Sequence, residues 1–134
     1  MDLDNTLPDV CCFPGDFNEV ILNIIVNAGQ AIAKKFEAKN QKGIIYVRTS
    51  HNAAKVSIEI QDNGIGIPES IKSRVYDPFF TTKPVGEGTG QGLYLSHQII
   101  EKKHGGRIYF ESVEGEGTTF KIELPLQISG KEVL

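Results

Sequence analysis

Val56-Ser57-Ile58-Glu59-Ile60-Gln61-Asp62-Asn63-Gly64-Ile65-Gly66-Ile67-Pro68 is the stretch on which the reading of this chain turns. Val56, Ile58 and Ile60 alternate with Ser57, Glu59 and Gln61, the period of a strand with one buried and one wet face. The alternation stops at Asp62, and Asn63, Gly64 and Gly66 follow at once. A strand that ends on a carboxylate and runs into backbone without Cβ atoms offers a surface on which something flat can lie. The plain alternative is an Asp-Asn-Gly turn joining two elements.

Upstream of this stretch, residues 45–50 read as a second strand, and His51-Asn52 suits a hairpin connection. Before it the spacing predicts a helix over 17–39, preceded by Pro14-Gly15 and marked at its start by Asp16 and Glu19 at capping-box spacing. Phe17, Val20, Ile21, Ile24, Ala28, Ala31 and Ile32 make its buried stripe, while Asn23, Asn27, Gln30 and Lys34 line a second, polar face. An apolar run over 8–13 reads as a short strand.

Downstream, residues 69–74 read as a short helix and 76–90 show no clear period. A helix over 91–103 is stopped by Gly105-Gly106. Strands over 107–113 and 119–124 flank Glu114-Gly115-Glu116-Gly117, and 127–134 reads as a tail. Hairpins without regular strand-helix alternation predict an α+β fold: a two-layer sandwich with a mixed, mostly antiparallel sheet and helices packed on one face. Residues 1–126 are expected to form one domain.

Composition narrows the function classes. The 134 residues carry 14 Lys and Arg against 17 Asp and Glu, a net charge of −3, so no basic excess favours nucleic acid. Hydrophobic residues at 40% and charged residues at 23% suit a globular domain and exclude disorder. No run approaches the roughly 18 apolar residues of a membrane span, and the N-terminus lacks a secretory pattern. Cys11 and Cys12 are adjacent, ill placed to bridge each other and without partners for a thiolate metal site, so they read as packing residues in a reduced, cytoplasmic setting.

Glycine placement invites a nucleotide reading, since ten of the 14 glycines fall between Gly64 and Gly117. The common templates fail. The only Gly-Lys pair, Gly130-Lys131, is followed by Glu132, which excludes a Walker A loop. In the dinucleotide fingerprint the third glycine place is taken by Glu69, Gln91 or Leu93. Four separated elements remain: Asn23 with Asn27; Asp62 to Pro68; Asp77-Pro78-Phe79-Phe80-Thr81-Thr82-Lys83; and Gly86-Glu87-Gly88-Thr89-Gly90-Gln91-Gly92-Leu93.

Their order and content resemble the N, G1, F and G2 boxes of the ATP-binding catalytic domain of sensor histidine kinases, in the gyrase, heat-shock chaperone, histidine kinase and mismatch-repair superfamily. The likeness covers roughly residues 8–125, and Gly117-Thr118-Thr119-Phe120 resembles the family's closing strand. The resemblance implies a domain that binds ATP and Mg²⁺. Asp62 would accept from adenine's exocyclic amine, with Gly64, Gly66, Ile67 and Thr118 around the base. Asn27 would be the metal ligand, its amide oxygen suiting a hard cation. Asn23, one turn earlier, would contact phosphate or the metal's water. Gly88, Thr89, Gly90, Gln91, Gly92 and Leu93 would cradle phosphates at a helix start. Phe79, Thr82 and Lys83 would belong to a covering segment, with Lys83 and Asn23 acting on the transferred phosphoryl group.

The resemblance also implies partners: a dimerisation domain bearing the acceptor histidine, and a response-regulator receiver domain. His51, His97 and His104 lie outside any such acceptor helix and read as surface or capping residues. The chain is therefore expected to be an excised catalytic domain, monomeric and without membrane contact of its own, while membrane attachment of the parent stays open. In the related hydrolases a Glu precedes the metal-binding Asn by one helical turn; here that place holds Asn23, which favours transfer to histidine over hydrolysis. Two other readings stay open, a non-catalytic ATP-sensing module and a protein-serine kinase of the same fold.

Overall fold

The structure, a computed structural model, describes residues 14–36, 43–77 and 92–125. The first helix, α1, spans Pro14–Phe36. Proline opens it where a missing N–H costs nothing. The predicted stripe is its inner face: Val20, Ile24 and Ala28 are buried, with Phe17 and Ile21 packed beside them. The start lies earlier than residue 17. Asp16 is consequently inside the first turn rather than capping it, and its carboxylate pairs with Lys103.

Four strands follow the predicted order: β1 (Ile45–His51), β2 (Lys55–Asp62), β3 (Arg107–Val113) and β4 (Gly117–Pro125). They form one sheet in the order β1-β2-β4-β3. Every pairing among the described residues is antiparallel, so no parallel component of the expected mixed sheet appears there. The strand expected over 8–13 and the tail over 127–134 lie outside the described residues.

Register carries the period-2 alternation across the whole sheet. Val47 pairs with Ile60, Ile60 with Phe120 and Phe120 with Phe110, so one face is a continuous apolar surface. That face packs on Val20 and Ile24 of α1 and on Ile100. The other face is open and carries charges of alternating sign, Arg48 with Glu59 at 3.9 Å, Lys121 with Glu59 at 3.7 Å and Lys121 with Glu111 at 3.1 Å. Such exposed pairs contribute little stability, and they keep the naked sheet face hydrated.

Residues Glu69–Arg74 form a 3₁₀ helix, and α2 spans Gly92–His97. The expected single helix over 91–103 instead widens after His97 into a π-helical turn, Gln98–Lys103. The His104 N–H donates to the Ile99 carbonyl at 3.1 Å, which closes that wide turn. Gly105, at φ 65°, then reverses the chain and lets the Gly106 N–H reach the Ile100 carbonyl at 2.8 Å. The stop expected at Gly105-Gly106 is where it was read. No helix among the described residues is long and apolar enough to cross a membrane.

Candidate nucleotide-binding site

The sheet's inner face is apolar except at one end, where a polar row crosses three strands. Asp62 of β2 pairs with Thr118 of β4, and Thr118 with Ser112 of β3. All three are buried. The Gly64 N–H donates to Asp62 Oδ1 at 2.8 Å, an Asx turn that starts the glycine loop. Burial raises the Asp62 carboxyl above its ordinary value, opposed by the Gly64 and Thr118 amides and by the charge of Lys35.

The loop after Asp62 is clamped on two sides. On one, the Ile65 N–H donates to the Ala31 carbonyl at 3.2 Å, and a Cβ on Gly64 would stand 2.6 Å from Ala31. On the other, the Gly115 N–H donates to the Ile65 carbonyl at 2.6 Å and the Ile67 N–H to Ser112 Oγ at 2.8 Å. A Cβ on Gly66, whose φ is 74°, would meet the Val113 carbonyl oxygen at 2.3 Å, and one on Gly117 would meet the Asp62 carbonyl oxygen at 2.1 Å. The missing Cβ atoms of Gly64 and Gly66, read from sequence as room for a base, thus first serve chain-to-chain packing that aims the loop.

The polar face of α1 carries the two asparagines singled out from the sequence. Asn23 and Asn27 are half-buried, and a Cβ on Gly92 at the start of α2 would lie 3.7 Å from Asn23 Cγ. The structure therefore brings Asn23 beside Gly92, near the end of the glycine-rich run. Gln30, one turn beyond Asn27, buries its Oε1 with no hydrogen-bond partner among the described residues. A buried acceptor left unmet is satisfied by water, by a cation or by a donor-bearing ligand. Neutral amide oxygens on this face suit Mg²⁺. No cluster of three or more His, Cys, Asp or Glu able to hold a metal occurs among the described residues, so a cation here would draw most ligands from phosphate and water. The residues present fit Mg²⁺ carried with a nucleotide.

Asp62, Gly64, Gly66, Ile67 and Thr118 are thus gathered at one end of the sheet, and Asn23 and Gly92 approach each other between α1 and α2. Leu93 packs against the hydrophobic core. Phe79, Thr82, Lys83, Gly88, Thr89, Gly90 and Gln91 lie outside the described residues. His51 is exposed and the His104 ring lies 2.9 Å from the Ile99 carbonyl at the helix end, as read. His97 differs: it is half-buried, stacks on Tyr76 at 4.9 Å and pairs with Glu101 at 3.5 Å. Sequence reasoning passed over Ser112, although a polar residue at the inward parity of Ile108 and Phe110 was a usable signal.

The profile of the family described as "Histidine kinase-, DNA gyrase B-, and HSP90-like ATPase" matches residues 14–128. The chain is 40% identical over 129 residues to the sensor histidine kinase ZraS of Escherichia coli K12, covering 96% of this chain and 26% of that protein. It is 38% identical over 133 residues to sporulation kinase E of Bacillus subtilis, covering 98% of this chain and 17% of that protein. It thus spans about a quarter or less of these curated relatives. Among solved structures, the catalytic domain of histidine kinase ThkA superposes with a TM-score of 0.77 at 32% identity, covering 93% of this chain and 77% of that one. By profile, relatives and superposition alike, the chain belongs to the histidine kinase-, DNA gyrase B- and HSP90-like ATPase family and is built as a histidine kinase catalytic domain.

Proposed function

We propose that this domain, taken as residues 1–126, binds Mg²⁺-ATP and delivers the γ-phosphoryl group to a histidine on a separate dimerisation domain, for passage to a receiver domain. The observation that carries the proposal is Asp62. It is buried at a strand end, held by two backbone amides, and keeps acceptor capacity for an exocyclic amine. Guanine presents a carbonyl at that position and is disfavoured.

Positioning and charge neutralisation do most of the work in phosphoryl transfer. Asn23 and Asn27 hold the phosphate end against the start of α2, and Lys83 neutralises charge on the γ-phosphate. Mg²⁺, held through Asn27, would supply charge neutralisation between phosphate oxygens. In the transfer the bond from the γ-phosphorus to the bridging oxygen breaks and a bond to an imidazole nitrogen forms, with ADP leaving. The place one turn before Asn27 holds Asn23 rather than a carboxylate, and Glu19, a further turn away, is exposed, which supports transfer over hydrolysis. The reading places the domain in the cytoplasm, monomeric by itself, with no nucleic-acid partner.

Calorimetric titration with a non-hydrolysable ATP analogue, with and without Mg²⁺, tests the site on the wild type and on Asp62→Asn. Metal-dependent binding weakened about 10- to 150-fold by the substitution is expected, the worth of roughly 1.5–3 kcal/mol for a hydrogen bond to a charged group. Equal binding by both proteins would sink the assignment of Asp62. With the acceptor domain supplied in trans, an acid-labile phosphoprotein bond identifies histidine, and an acid-stable bond would point to a serine kinase.

A further inference from the structure

Three contacts meet at Ser112 Oγ and three protons are there to make them, so counting assigns each proton. Ser112 Oγ lies 2.8 Å from the Ile67 nitrogen, 3.0 Å from the Gly117 carbonyl oxygen and 2.8 Å from Thr118 Oγ1. The amide can only donate and the carbonyl can only accept. Ser112 therefore takes the Ile67 N–H on one lone pair and gives its single proton to Gly117. Its second lone pair remains for Thr118, so the Thr118 hydroxyl must be the donor in that third contact. The Thr118 proton is thereby spent away from Asp62.

What Thr118 Oγ1 can still offer is lone pairs alone. Its cross-strand neighbour on the same face is Asp62, a carboxylate that is likewise an acceptor. We infer that Ser112 is a specificity-determining positioning residue: by binding the Thr118 proton it makes the Asp62-Thr118 edge acceptor-only and selects a 6-amino purine over a 6-oxo purine. The inference rests on the nucleotide reading above and deepens it. A base carrying an exocyclic amine meets two acceptors, while a 6-oxo group meets lone pairs with its own. Ser112→Ala frees the Thr118 hydroxyl to rotate and donate, so discrimination relaxes although neither direct contact residue has changed.

The test compares non-hydrolysable ATP and ITP analogues on the wild type, Ser112→Ala, Ser112→Thr and Thr118→Val, with affinities read calorimetrically and folding followed by thermal melts. In the wild type the ATP analogue should bind more tightly. In Ser112→Ala the ratio of the two affinities should fall about fivefold or more, the value of one ordinary hydrogen bond. Ser112→Thr, which keeps the hydroxyl, should restore it. Thr118→Val removes the oriented acceptor and should also lower the ratio; a wild-type ratio in Thr118→Val would overturn the inference even if Ser112→Ala fails to fold. Parallel weakening of both analogues at an unchanged ratio would show a merely structural serine and overturn the inference. Binding of neither analogue by the wild type would instead refute the nucleotide reading itself.

Discussion

Replacing Gly66 by alanine should cost far more than its location in a loop suggests, because two separate penalties meet there. The residue sits at φ 74°, and an L side chain in that left-handed region costs roughly 1–2 kcal/mol. The new Cβ would also stand 2.3 Å from the Val113 carbonyl oxygen and 2.9 Å from Glu114 Cα, both backbone atoms. Carbon-oxygen contacts settle near roughly 3.3 Å, so the β3–β4 turn must retreat by about 1 Å. That retreat breaks the bonds of Gly115 to Ile65 at 2.6 Å and of Ile67 to Ser112 at 2.8 Å. Each is worth about 0.5–1.5 kcal/mol, which brings the total to about 2–5 kcal/mol. A domain of this size should stay folded and lose ~10–20 °C in Tm. Gly105→Ala supplies the control: its φ is 65° but nothing lies within 4 Å of the added Cβ, so only the dihedral penalty applies. Urea unfolding of both variants measures the difference. If Gly66→Ala loses no more stability than Gly105→Ala, the clamp between the loop and the turn is not what holds this end of the sheet.

Three further outcomes follow from single side chains. Burial raises the Asp62 carboxyl above 3.8, so the folded protein holds its proton more tightly than the unfolded chain does; this residue's contribution to stability therefore falls as pH rises through that window and is constant above it. Urea midpoints across the acid-to-neutral range should show that slope in the wild type and lack it in Asp62→Asn, and identical profiles would exclude the perturbation. Tyr76 buries its hydroxyl with no partner among the described residues, and burial drives its pKa up; Tyr76→Phe keeps the ring contacts with His97 and Phe110 and should gain up to ~1 kcal/mol, whereas a clear drop in Tm would mean the hydroxyl is bonded. Gly29 lies on the exposed face of α1 with open space where a Cβ would go, so Gly29→Ala should stabilise by about 0.5–1 kcal/mol in thermal melts; a loss would place that face against something.

The elements that sequence alone located are those governed by local period. Val56, Ile58 and Ile60 alternate because a strand turns its side chains every second residue, and the sheet then inherits the same parity in Phe120, Ile122 and Leu124. The three-to-four spacing of Val20, Ile24 and Ala28 placed the inner face of α1 for the same reason. What stayed hidden depends on contacts between distant segments. Asp16 looked like a cap because capping is a local pattern, yet its partner is Lys103, across the helix layer. The wide turn at Gln98–Lys103 leaves no mark in a 3.6-residue pattern.

The site shows both cases at once. Asp62 was legible because a carboxylate ending an apolar strand is anomalous on its own strand. Ser112 was not singled out, because a serine near a turn has many ordinary explanations. Its role emerges only when three strands are registered and the Ile67 amide, the Gly117 carbonyl and the Thr118 hydroxyl converge on one oxygen. The glycines divide in the same way. Their density pointed to a place where backbone comes close to something, and at Gly64, Gly66 and Gly117 that something is Ala31, Val113 and Asp62 of this same chain. Three segments distant in sequence can approach so closely only where all three contacts lack a Cβ. Asp62 is therefore aimed by backbone packing, which a bound nucleotide does not have to create.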